Sequence, residues 1–259
     1  MIKVSIQNRK GQKMVVMIEQ NDQQKGLAFV MHGLGGFKEQ PHLQVIAEAF
    51  FENNYTVIRF DTTNTYGESE GSYEDATLTN YYEDLEDVIN WASTQEWYRE
   101  PFVLMGHSLG GISTALYAEK HPEKVKGLAP ISTVVSGKLS LESPQYINTE
   151  VLKNWEETGI RETPSESIPG LVKRLKWVHV ADRLKYDLLP EATKLRMPVL
   201  MIVGSEDDST PEMHQRILYN SLPGPKQFHS IQNAPHTFRK EEHLGELKNI
   251  FIEWIKKLN

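Results

Sequence analysis

The sequence predicts an α/β protein with a mostly parallel eight-stranded sheet and helices on both faces. Three observations carry that prediction. Short uninterrupted apolar runs such as GLAFVMH, YTVIRF and PVLMIVG recur along the chain, as strands buried on both faces do. Between several of them lie stretches with apolar residues at helical spacing. Strand and helix then alternate over most of the chain, which implies parallel strands joined by crossover helices.

The elements follow in order. Residues 2–7 and 12–19 alternate polar and apolar positions and are parted by Lys10-Gly11, the pattern of an antiparallel hairpin at a sheet edge. GLAFVMH ends at His32, EQPHLQVIAEAFFENN supplies a helix, and YTVIRF ends at Asp61. TTNTYGESEGSYED is a loop by its Gly, Ser, Thr and Asn content. From about Thr79 to Trp97, Leu85, Val88, Ile89 and Ala92 recur at helical spacing. PFVLMG leads into HSLGGISTALYAEKHPEK, whose helix stops at His121-Pro122. KGLAPIS, PVLMIVG and KQFHSIQ give three more strands. The last element, Lys240 to Leu258, is amphipathic, with Leu244, Leu247, Phe251, Trp254 and Ile255 on its apolar side. One interval breaks the rhythm. Between Ser132 and Pro198 there is no clear buried strand, and such a length is too great for an ordinary connection. The chain is therefore expected to be one domain, 1–259, with 133–197 inserted in it and carrying helices of its own.

Composition narrows the function classes. Of 259 residues, 39% are hydrophobic and 24% charged, enough apolar material to cover both faces of a sheet. The net charge is −7 and the basic residues are scattered, which argues against a phosphate backbone as partner. Absence of cysteine excludes disulfides, thiolate metal sites and a cysteine nucleophile. The N-terminal MIKVSIQNRKGQKMVVMIEQ lacks the apolar run of a signal peptide, and no stretch is long enough to span a bilayer. A cytoplasmic protein is the expectation.

The strongest chemical signal is Gly106-His107-Ser108-Leu109-Gly110-Gly111. Gly-x-Ser-x-Gly alone is a weak motif, because a glycine-rich turn can hold a serine that merely caps a helix. Here it joins a buried strand directly to a helix, the setting of a nucleophile elbow. A serine hydroxyl needs a base, and the base needs an acid that orients it. Behind an elbow of this kind the partners follow in the order Ser, Asp/Glu, His. Past PVLMIVG stands Ser205-Glu206-Asp207-Asp208-Ser209-Thr210-Pro211, and past KQFHSIQ stands Asn233-Ala234-Pro235-His236-Thr237-Phe238. His236 is the candidate base. Glu206, Asp207 and Asp208 compete for the role of acid. His32-Gly33-Leu34-Gly35-Gly36 follows the first buried strand, so the backbone N–H groups of Leu34 and Leu109 are assigned to the oxyanion. The rival reading of that loop as a dinucleotide cradle lacks its third glycine, because Lys38 stands there. His42, His121, His214, His229 and His243 are read as surface residues without metal-ligand pairing. His32 and His107 are expected to pack or bond to the backbone, and Asp61 to fix its loop.

Together these motifs make the chain resemble the α/β-hydrolase superfamily along its whole length. Within it, the chain is similar to bacterial and archaeal carboxylesterases of the cinnamoyl and feruloyl esterase type. The finer likeness lies in Asp61 through Gly71, in the insertion before the acid-bearing strand, and in the short N-terminal hairpin. The chain departs from that group at Leu109, where those esterases carry glutamine. The resemblance implies an α/β-hydrolase fold, with 133–197 as a lid. It implies Asp207 as the acid, three residues past Gly204 and four before Pro211, and Asp208 as a helix-terminal acid. It further implies hydrolysis of a small ester through an acyl-enzyme without metal or organic cofactor, in a monomer or homodimer. Trp155, Trp177 and Tyr146 are the lid's candidate substrate contacts. Serine aminopeptidases and monoacylglycerol lipases share the triad and differ in the lid, and ligand-binding receptors share the same fold.

Overall fold

A computed structural model of the chain describes residues 1–146, 149–164 and 170–258. The alternating segments at the start form β1 (Ile2–Gln7) and β2 (Lys13–Glu19), an antiparallel pair. β3 (Gly26–Met31), α1 (Pro41–Glu52), β4 (Tyr55–Phe60), α2 (Leu78–Ala92), β5 (Phe102–His107), α3 (Leu109–Lys120) and β6 (Val125–Ile131) follow. The segment 133–197 holds the helices α4 (Gly137–Ser140) and α5 (Thr149–Thr158), the strands β7 (Ile160–Pro164) and β8 (Val172–Lys176), and then α6 (Val178–Arg183). Residues 147, 148 and 165–169 of that segment lie outside the described residues. β9 (Val199–Gly204), α7 (Glu212–Ser221), β10 (Lys226–Ile231) and α8 (Glu241–Leu258) complete the chain.

The eight-stranded sheet has the order β1-β2-β4-β3-β5-β6-β9-β10. Every pairing from β4 to β10 is parallel, and only the β1–β2 hairpin and its join to β4 are antiparallel. Successive side chains of β3 go to opposite faces, as the pleat requires. Leu27, Phe29 and Met31 enter the core under α2 and α3, and Ala28 and Val30 enter the one under α1 and α8. Both cores are fully apolar in β3, so the strand's hydrophobic run is continuous and not alternating. α8 contributes Leu247, Phe251, Trp254 and Ile255, all essentially buried, each stabilising by about 1.5–3 kcal/mol.

One expectation is corrected, and another gains two strands. α2 ends at Ala92, short of Trp97. Ser93 and Thr94 turn their hydroxyls onto the carbonyls of Asn90 and Trp91, both at 2.7 Å, and such local bonds compete with helix continuation. Trp97 lies beyond the helix and packs edge-on against Trp91. The segment 133–197 contains a two-stranded antiparallel sheet as well as helices. Its strands read IRETP and VKRLK and bury only Leu175, so no apolar run announces them.

Parallel strands place their following loops on one edge of the sheet. The loops after β3, β5, β9 and β10 therefore meet there.

Candidate active site

β5 ends at His107, and Ser108 turns the chain into α3 with φ 54° and ψ −114°. A serine there is strained by about 1–3 kcal/mol, and its N–H is held by the carbonyl of Ile131 at 2.9 Å. The turn closes only because Gly106 lacks a side chain. A Cβ on it would stand 2.1 Å from the carbonyl oxygen of Gly110.

The loop after β10 brings His236 Nε2 to 2.9 Å from Ser108 Oγ. On its other side His236 Nδ1 is 2.9 Å from Asp207 Oδ2. An ionised carboxylate can only accept, so Nδ1 carries the proton and Nε2 is left to accept from the serine hydroxyl. Asp207 is fully buried at its side chain. Burial alone would raise its pKa. The attraction of His236 and the hydrogen bonds from His236 and Thr210 outweigh that and hold it well below the usual carboxylate range. Thr210 N–H donates to Oδ1 at 2.8 Å, Ser209 N–H at 3.0 Å, and Thr210 Oγ1 lies 2.9 Å from Oδ2. Asp208 is exposed, and among the described residues its carboxylate takes only a 3.2 Å contact from Ser209 Oγ. Glu206 is also exposed.

Behind His236 stands a column of rings. His107 Nε2 donates to the His236 carbonyl at 2.8 Å, and its ring centroid lies 4.8 Å from that of His236. His42 follows 4.6 Å beyond. His42 is not a surface residue: it is 2% exposed. Burial lowers its pKa to about 3 and pushes His107 well down too. Sequence patterning does not reveal this column, because His42 sits on α1 and meets His107 only once the sheet is assembled. His214 and His243 are likewise buried. They lie on the inner sides of α7 and α8.

The loop after β3 lies close against Ser108. A Cβ on Gly33 would stand 2.9 Å from that of Ser108. The loop is pinned by Gly36 N–H to Gly33 O at 2.9 Å and by Gly35 N–H to Tyr81 Oη at 3.2 Å. Leu34 and Leu109 both line the cavity over Ser108. Their backbone N–H groups donate to no protein acceptor among the described residues. Leu109 is also the first residue of α3, where the helix dipole favours negative charge.

Asp61 ties this loop to the one after β4. Its carboxylate accepts from the Lys38 and Glu68 N–H groups at 2.8 Å each and from Lys38 Nζ at 2.7 Å. Carboxylate oxygens of Glu39, Asp61 and Glu68 gather closely enough to suit a metal ion. Lys38 Nζ already sits among them, 3.1, 2.7 and 2.6 Å away, and supplies the positive charge.

Ser108 and His236 open into a cavity of about 800 Å³, whose far wall includes Tyr146, Arg161, Lys173 and Arg183 from the segment 133–197. Tyr146 thus faces the cavity, whereas Trp155 and Trp177 do not line it. Trp155 is 1% exposed, packs edge-on against Trp177 at 5.7 Å and donates its indole N–H to Leu175 O at 2.9 Å. It extends the core under α2 and α3 into the segment 133–197, where α5 meets the β7–β8 hairpin. Among the described residues no helix is long and apolar enough to cross a membrane.

Residues 22–167, more than half of the chain, match the family described as serine aminopeptidase, S33. An uncharacterized 31.7 kDa protein of Escherichia coli is 24% identical over 89% of this chain and 90% of its own length. The palmitoyl-protein thioesterase ABHD10 of Bos taurus is 27% identical over 61% of this chain and 49% of its own length. Among solved structures, Est1E from Butyrivibrio proteoclasticus with bound ferulic acid superposes with a TM-score of 0.82 at 20% identity, covering 98% of each chain. The fold is that of the α/β hydrolases.

Proposed function

Because the chain belongs to the serine aminopeptidase, S33, family of hydrolases, we propose that it hydrolyses carboxylic esters through an acyl-enzyme formed on Ser108. The observation that carries this reading is the continuous hydrogen-bonded line from Asp207 through His236 to Ser108. His236 Nε2 takes the proton as Ser108 Oγ attacks the carbonyl carbon, and returns it to the departing alcohol. Asp207 keeps the Nδ1 proton in place and stabilises the imidazolium. The Leu34 and Leu109 N–H groups receive the oxyanion, which carries the charge that develops in the transition state. Water then attacks the acyl-enzyme with His236 again as base. The segment 133–197 serves as the lid over the substrate.

Ser108→Ala should abolish both turnover of p-nitrophenyl butyrate and labelling by a fluorophosphonate. Turnover that persists in this variant would overturn the assignment.

The likeness to ABHD10 supports a second reading, thioester hydrolysis by the same acyl-enzyme. The likeness to Est1E supports including hydroxycinnamate esters in the panel. Comparing kcat/KM for an acyl thioester, its oxygen ester and methyl ferulate ranks the three. Cleavage next to a substrate's free ammonium fits less well, since arginines and a lysine line the cavity's far wall. A receptor role would show as tight ligand binding without turnover.

A further inference from the structure

We propose that the cavity contains a carboxylate subsite built on Arg183, so that the ester substrate carries a second, free carboxylate. This rests on the ester reading above and specifies the substrate class.

Arg183 closes α6 and is 5% exposed, yet it lines the same cavity as Ser108. Its Nε and Nη2 atoms are buried and have no hydrogen-bond partner among the described residues. Those two atoms form the edge of the guanidinium that meets a carboxylate with two parallel hydrogen bonds. Buried polar atoms without a partner are rare in folded proteins. An arginine cannot relieve the situation by losing its proton.

A second guanidinium, that of Arg161, contacts the same Tyr146 ring. The Cζ atoms of Arg161 and Arg183 lie 5.3 and 5.7 Å from the centroid of the Tyr146 ring. Arg161 also donates to Tyr146 Oη at 3.2 Å, which fixes the shared ring. Two cations on one ring favour an anion placed within reach of both. Among the described residues, no carboxylate that lines the cavity is paired with Arg183. Of the carboxylates lining the cavity, Glu206 and Asp208 are exposed on the loop after β9, where water screens them. Asp207 is engaged by His236. A cavity of about 800 Å³ accommodates a small organic acid that reaches both Ser108 and Arg183.

The carboxylate can belong to the acyl half or to the alcohol half of the ester, and two substrate pairs separate these. Monomethyl adipate is compared with methyl hexanoate, and butyryloxyacetate with ethyl butyrate, by chromatography of the released products. In at least one pair the charged ester should have a kcat/KM tenfold or more above its neutral counterpart. That ratio should fall to one or below in Arg183→Met, and Arg183→Lys should recover part of it. A ratio of one or less in both pairs for the unaltered protein overturns the proposal, as does a ratio that Arg183→Met leaves in place. Should Arg183→Met not fold, Arg183→Lys alone must lower the ratio, and an undiminished ratio overturns the subsite. Binding gives an independent reading that needs no turnover. Glutarate should bind Ser108→Ala saturably in calorimetry and should bind at least tenfold more weakly when Arg183→Lys is added. Binding that is absent, or equal in the two proteins, overturns the subsite whether or not the chain proves to be an esterase.

Discussion

Asp207 and Asp208 are neighbours with the same side chain, and the backbone between them decides which one His236 can use. Asp207 is turned inward by three hydrogen bonds from Ser209 and Thr210, and its Oδ2 meets Nδ1 of His236. Asp208 points to water. Asp207→Asn puts an amide where a carboxylate accepted the Nδ1 proton, which favours the wrong imidazole tautomer. kcat on a p-nitrophenyl ester should drop by about 10³–10⁴, while Asp208→Asn should stay within about threefold. The reverse order would move the role to Asp208. Thr210 is the residue that the sequence left unremarked in this loop. Only the hydrogen bonds around Asp207 disclose it.

At the scale of elements, the β5–α3 turn holds Ser108, the proposed nucleophile, at a positive φ that residues other than glycine rarely adopt. The close approach of Gly106 to the first turn of α3 is what permits it. Gly106→Ala sets a methyl 2.1 Å from a backbone carbonyl oxygen, and no rotamer change can relieve a clash with backbone. α3 must shift, and Ser108 with it. Stability should fall by about 2 kcal/mol or more, read from the urea midpoint, and kcat should fall further than the unfolded fraction explains. A variant with unchanged midpoint and kcat would show that the turn is not fixed by this contact. The insertion is anchored in a comparable way. Thr79, at the start of α2, donates from N–H and Oγ1 to the two oxygens of Asp182 on α6 at 2.8 and 2.7 Å. That grip holds the helix bearing Arg183 over the sheet edge.

For the whole molecule, stability against pH is set partly by Glu119, a carboxyl on α3 far from the reacting groups. It is 7% exposed and its Oε1 has no partner among the described residues. Burial, with Glu191 nearby, raises its pKa from 4.5 to about 8. Between those two values the unfolded chain has lost a proton that the folded chain keeps, so stability falls as pH rises. Glu119→Gln removes this penalty. Its gain in unfolding free energy should be absent at pH 4 and grow to a few kcal/mol by pH 8. A gain independent of pH would refute the buried, protonated carboxyl. The sequence by itself determined the order of strands and helices and the loops that carry Ser108, His236, Leu34 and Leu109. Apolar runs, helical spacing and short motifs are local properties that side-chain chemistry writes directly into the chain. It also marked out the segment 133–197 by its lack of such runs. Only the tertiary structure decided which of two adjacent aspartates meets the histidine, that His42 and His107 stack behind it, and that Trp155 packs inside the insertion while Tyr146 and Arg183 face the cavity. Those outcomes depend on contacts between residues distant in sequence. The direction of a side chain in a loop or an irregular insertion follows no period that a sequence can display.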